Sequence, residues 1–165
     1  AVDALMRLLD DPNTRVRQHA GEALAAIGEP VRLPLQAALA GTVSNAFKAN
    51  AQTTLSTLEV VRQAADGEPI DLLLLSRSWS SAIQRAATIL RERQAADEYL
   101  RLTEHLKHER SGIRWFTRLL LLEIGEAARP KVEAFLEQTA NPKAKSEAES
   151  LLRELDRRQA EEENE

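Results

Sequence analysis

A fourteen-residue pattern occurs twice in this chain. The run Val16-Arg17-Gln18-His19-Ala20-Gly21-Glu22-Ala23-Leu24-Ala25-Ala26-Ile27-Gly28-Glu29 returns as Ile113-Arg114-Trp115-Phe116-Thr117-Arg118-Leu119-Leu120-Leu121-Leu122-Glu123-Ile124-Gly125-Glu126, a shift of 97 positions. Val16, Ala20, Leu24 and Ile27 are spaced four, four and three, so each run codes one face of an amphipathic helix closed by Gly-Glu. The shift is about three periods of a short helical repeat. A single repeat cannot bury its apolar stripe alone, so the pattern predicts a stack of helix pairs. Such a stack is a scaffold or recognition surface rather than a compact enzyme core.

The rest of the chain fits that expectation unevenly. A first helix is expected over 2–9, with Val2, Leu5, Met6, Leu8 and Leu9 as its apolar stripe, and a second over 13–27. Asp10-Asp11-Pro12-Asn13 separates them, since Pro restricts its predecessor and suits a first helical turn. A shift of 31 carries the second-helix pattern onto Phe47, Ala51, Leu55 and Leu58, giving helices over 31–40, interrupted near its start by Pro34, and 44–60. After a linker at 65–69, helices at 70–77 and 78–91 follow. A shift of 66 there gives Ala82, Ala86 and Leu90 but ends on Arg93, so the register moves. A helix over 95–107 carries Tyr99, Leu102 and Leu106, and the Ile113 helix follows it. The last pair spans 130–139 and 143–158, with Asn141-Pro142 read as a second copy of the Asp11-Pro12 punctuation. The domain expected is 1–158, followed by an acidic, disordered tail at 159–165.

At 165 residues the chain is long enough for one buried core. Without Cys it has neither disulfide nor thiolate chemistry, which fits a reducing compartment and a cytoplasmic location. It begins Ala1-Val2-Asp3 with no initiator Met, so a processed chain or a fragment of a larger protein is expected, with other domains of the parent among its partners. The leucine runs 72–75 and 119–122 are too short for membrane insertion. Charge is unevenly spread: residues 1–76 hold 6 basic and 9 acidic side chains, 77–118 hold 9 and 5, and 119–165 hold 7 and 12. The middle suits an acidic partner, whereas the acidic ends make strong non-specific nucleic-acid binding an unfavoured reading.

Asp11-Pro12-Asn13-Thr14-Arg15-Val16-Arg17, with Ala20, Ala23-Leu24 and Ile27-Gly28, resembles the HEAT repeat, especially the short bacterial variety first associated with phycobilisome lyases. Ile113-Arg114, Leu121 and Ile124-Gly125-Glu126 resemble its second helix. The resemblance implies an all-α, right-handed α-α superhelix of about five helix pairs whose second helices hold a protein partner. It also implies structural roles for Asp11, Pro12, Arg17, Gly28 and Gly125. In that family the residue before Pro and the Val-Arg arginine bond between neighbouring repeats, which would give Asp11, Arg17 and Arg114 that task.

Aligning the repeats singles out one helix. Gln18, Glu22 and Ala25 correspond to Trp115, Leu119 and Leu122, and to Ala49, Thr53 and Ser56. One repeat thus exchanges a polar or small stripe for a large apolar one. With Arg114 and Arg118 beside it, this stripe is the expected protein-binding anchor, because aromatics and Arg dominate interfaces. The competing reading makes the stripe core, covered by the 95–107 helix or the last pair. Trp79 is read as a wedge between repeats or a partner contact.

Catalytic signatures are thin. His105, Lys107 and His108 beside Glu104 and Glu109 lack a third ligand at convincing spacing, so no metal is assigned, and no cofactor is expected. Asp10-Asp11 reads as helix punctuation rather than a hydrolase pair. A non-catalytic protein-binding or scaffold module is therefore expected, with oligomeric state open. Two alternatives come from the helical-repeat resemblance. A DNA glycosylase-like protein would recruit Arg77, Arg85, Arg91, Arg93, Arg114, Arg118 and Trp115 to nucleic acid, and a chromophore-lyase-like protein would need a pocket.

Overall fold

The computed structural model describes residues 1–164, and these contain helices and no strand. Ten α-helices occur among them: α1 (Val2–Leu8), α2 (Thr14–Ile27), α3 (Arg32–Leu39), α4 (Asn45–Asp66), α5 (Leu72–Ser76), α6 (Ser81–Glu92), α7 (Ala96–Glu104), α8 (Ser111–Ile124), α9 (Arg129–Gln138) and α10 (Pro142–Glu162). The even-numbered helices form a row in which α2 packs on α4, α4 on α6, α6 on α8 and α8 on α10. Beside this row α1 packs on α2, α3 on α4 and α9 on α10, while α5 and α7 both lean on α8. This is helical-repeat packing, in which each layer touches mainly its neighbours.

The helix starts follow from local chemistry. Asn13 accepts a hydrogen bond from Arg15 N at 2.9 Å, Ser44 from Phe47 N at 3.0 Å, and Asn141 from Lys143 N at 3.0 Å, so α2, α4 and α10 begin on side-chain caps. These three caps occupy one repeat position, at 13, 44 and 141. Asn141 therefore answers to Asn13 and not to Asp11, and Pro142 is the first residue of α10, where its missing N–H costs nothing. Likewise Pro34 does not interrupt α3. It lies in the first turn, before any intrahelical N–H is required.

Other boundaries differ from the sequence expectation for equally physical reasons. Helix α4 continues to Asp66, through the start of the expected linker, because Val60 and Ala64 are still buried one turn apart and Gly67 is the first left-handed stop (φ 75°). Helix α5 is cut to five residues between the Asp71 cap and a turn that carries Trp79. Helix α7 tightens into a 3-10 turn at His105–Lys107. At the far end α10 runs to Glu162, within the segment expected to be disordered, and Arg157 pairs there with Glu154 and Glu161. The last tail residue, Glu165, lies outside the described residues.

Two apolar clusters share α4. Leu9, Leu24, Val31, Leu35, Phe47 and Leu58 build the first, and Val60 starts a larger one that runs to Leu155. Each fully buried leucine contributes about 1.5–3 kcal/mol, so the layers cohere by side-chain burial.

Candidate functional site

Helix α8 places Trp115, Arg118, Leu119 and Leu122 at i, i+3, i+4 and i+7, which is one helical face. Trp115 is 51% exposed, and its indole meets the Phe116 ring edge-on with centroids 5.0 Å apart. Leu119 is half-buried. Leu122 is 9% exposed and, with Leu151 of α10, lines a hollow of about 470 Å³ between α8 and α10. Arg118 lines it too, donating to Ser150 Oγ at 3.1 Å with Glu147 3.9 Å away. Across the hollow the Arg157 guanidinium hydrogen-bonds Glu154 and holds its carboxyl below the usual range, with Arg158 and Arg118 adding to the effect. The stripe is therefore graded, from an exposed aromatic to an almost covered leucine, and neither α7 nor α10 buries Trp115.

Arg114 does something else. Its Nη1 donates to the carbonyls of His108 and Glu109 at 2.6 and 2.8 Å, closing the loop before α8. Arg17 repeats this on the carbonyls of Asp11 and Pro12 at 2.7 and 3.1 Å, and adds Thr14 Oγ1 at 2.9 Å. Both arginines thus bond within their own loop, since the short turn brings the carbonyls five and six residues back directly under the guanidinium; of the bonds between repeats that the family resemblance implied, Arg114 makes an ion pair, its Nε 3.7 Å from Glu147 of α10. Asp11 Oδ1 accepts from Asn13 N at 2.8 Å, and His108 Nδ1 accepts from Arg110 N at 3.1 Å in the corresponding place. The repeat also extends to Gly28 (φ 88°, ψ −148°) and Gly125 (φ 76°, ψ −143°), a region open essentially to glycine, from which each chain enters a 3-10 turn.

The third, irregular repeat supplies further bonds between layers. The Trp79 indole lies on Gly21 of α2 and donates from Nε1 to Thr54 Oγ1 of α4 at 3.0 Å, while its backbone N donates to Thr57 Oγ1 at 2.8 Å. Ser81 Oγ donates to Glu22, and Arg85 Nη1 donates to Ala25 O at 2.6 Å. Trp79 is accordingly a wedge between layers. The polar or small stripe of α2 is partly covered, with Ala25 buried and Glu22 bonded to α6. A glycine inside an amphipathic helix was the available sign of close approach, and Gly21 had it.

The residues of the nucleic-acid alternative are largely engaged. Arg85, Arg91, Arg93 and Arg114 donate to the backbone carbonyls of Ala25, Glu123, Ala64 and His108 respectively. These arginines tie layers and loops together and do not form an open cationic track. The histidine pair is similarly bound in: His105 Nε2 faces Arg101 Nη1 at 2.8 Å, and burial, then the Arg101 charge, push its pKa down. Arg101 also donates to Ile70 O at 2.7 Å while Glu98 accepts from Ile70 N at 3.0 Å, fixing the chain ahead of α5. No group of three or more metal-binding side chains occurs among the described residues, and no helix among them is long and apolar enough to cross a membrane. Asp10 accepts from Ser44 Oγ, so both acids of Asp10-Asp11 serve turns and caps.

Comparison of the chain with protein-family models and with curated proteins gave no match.

Proposed function

We propose that this chain is a HEAT-like solenoid of about five helix pairs acting as a non-catalytic protein-binding or scaffold module, with its partner on the α8 face. The observation that carries this is Trp115: a large aromatic half open to solvent, on the same helical face as Leu119 and Arg118. Large exposed aromatics beside Arg are the usual anchors of interfaces, whereas singly scattered leucines are ordinary surface. Support also comes from the fixed Trp79 wedge and the arginine ties, which give a rigid platform.

The test compares partner capture from lysate of the source cell by wild type, Trp115→Ser and Leu119→Glu, with circular dichroism and thermal melting on all three. A protein captured by the wild type and lost by both folded variants supports the reading. Capture indifferent to both substitutions overturns it.

A further inference from the structure

We infer that the hollow between α8 and α10 takes the carboxylates of an acidic peptide segment whose large apolar side chain rests on the adjoining Trp115–Leu119 face. This rests on the docking reading above and adds the partner's chemistry to it. Its floor is Leu122, 9% exposed, over the fully buried Leu151, and Arg118, Arg153 and Arg157 surround it with Glu154 as the one lining acid. Arg157 already bonds Glu154, so that carboxylate is locally neutralised. Arg153 is exposed and forms no ion pair among the described residues. Arg118 uses one donor on Ser150, and its nearest carboxylate stands 3.9 Å away. Two guanidiniums therefore keep most of their forked donors open beside the half-buried Leu119 and half-exposed Trp115, the arrangement that receives a carboxylate next to an apolar side chain. Trp115 lies two turns before Leu122 on the same face and extends the apolar track. Two open cations are too few for a phosphate backbone, which needs many converging on one path. The acidic C-terminal segment of a second copy supplies carboxylates at Glu161, Glu162 and Glu163 but no large apolar residue beside them.

The probe is a displayed library of random peptides, selected on the intact chain at low salt and then measured one by one by fluorescence anisotropy. The expected survivors join Asp or Glu to Leu, Phe or Trp and weaken with added salt. Arg153→Glu and Trp115→Ser, both on exposed side chains, each lower affinity roughly tenfold. Enrichment of basic or uncharged peptides overturns the acidic assignment. Peptides that need Trp115 but ignore Arg153→Glu and Arg118→Gln also overturn it, while leaving the α8 docking surface in place. Peptides indifferent to all three substitutions overturn both. Concentration-dependent dimerisation in light scattering, abolished by Arg153→Glu with no peptide enriched, assigns the groove to a second copy and rejects a separate partner.

Discussion

The indole of Trp79 sits so closely over Gly21 that a Cβ at position 21 would lie 2.4 Å from a ring carbon. The ring cannot simply swing aside, because Nε1 is held by Thr54 Oγ1 at 3.0 Å. Two opposing effects act on Gly21→Ala. Helix propensity favours Ala by roughly 1 kcal/mol, and overpacking costs about 1–3 kcal/mol. Overpacking wins here, so a net loss of about 1 kcal/mol is expected in urea unfolding. In a Trp79→Ala background the same substitution turns neutral or stabilising, and a loss of equal size in both backgrounds would refute the wedge.

Gly28 and Gly125 predict a matched pair of effects. Substitution by Ala at either forces a side chain into a backbone region that excludes it, at a cost of about 1–3 kcal/mol. Gly112, in the first turn of α8 and with open space around its Cβ direction, gives the opposite sign, a gain of about 0.4–1 kcal/mol on Ala substitution. Denaturant midpoints for the three variants check the contrast.

Arg114→Ala leaves the carbonyls of His108 and Glu109 without their shared donor, and Arg17→Ala does so for Asp11 and Pro12. A loss of about 1–3 kcal/mol is expected for each. Lysine restores only part of it, since a single ammonium on a flexible stem does not present a planar guanidinium to the two carbonyls. Equal stability of the Lys variant and the wild type would contradict the geometry.

Acid sensitivity divides into two windows. His105 is held below its ordinary value of 6.5 by burial first and Arg101 second, so the unfolded chain binds that proton more readily than the folded one. Its contribution is present above about pH 6.5 and is lost as pH falls from there toward the folded pKa. Glu59, Glu126 and Glu154, each lowered by an arginine partner, lose theirs only at lower pH, from about 4.5 downward. Stability measured against pH for His105→Gln should lack the slope in the upper window and keep the lower one.

Repeat grammar was legible where a residue type has one local consequence. Gly28 and Gly125 end helices and buried Ala82, Ala86 and Leu90 follow the shifted pattern, whereas the Asn141 cap answers to Asn13 and not to the Asp11 it was matched with. The α8 stripe also stood out, because a Trp and two Leu replace polar or small residues at aligned positions. What stayed hidden depends on distance in sequence. Arg85 reaches Ala25 sixty residues away, and Trp79, expected as a wedge between repeats, finds its partners in Gly21 and Thr54, contacts set by how layers stack and invisible to local periodicity. For the same reason the middle's positive charge read as open, while five of its arginines are bonded to backbone carbonyls.

The most direct measurement puts a photo-crosslinking residue at position 115, and in a parallel chain at position 33, where Leu33 of α3 is 75% exposed and apolar but lies off the α8 face. Illumination in lysate of the source cell should give a discrete protein adduct from position 115 and none from position 33. Equal adducts from both, or none from position 115, would contradict a docking surface on α8.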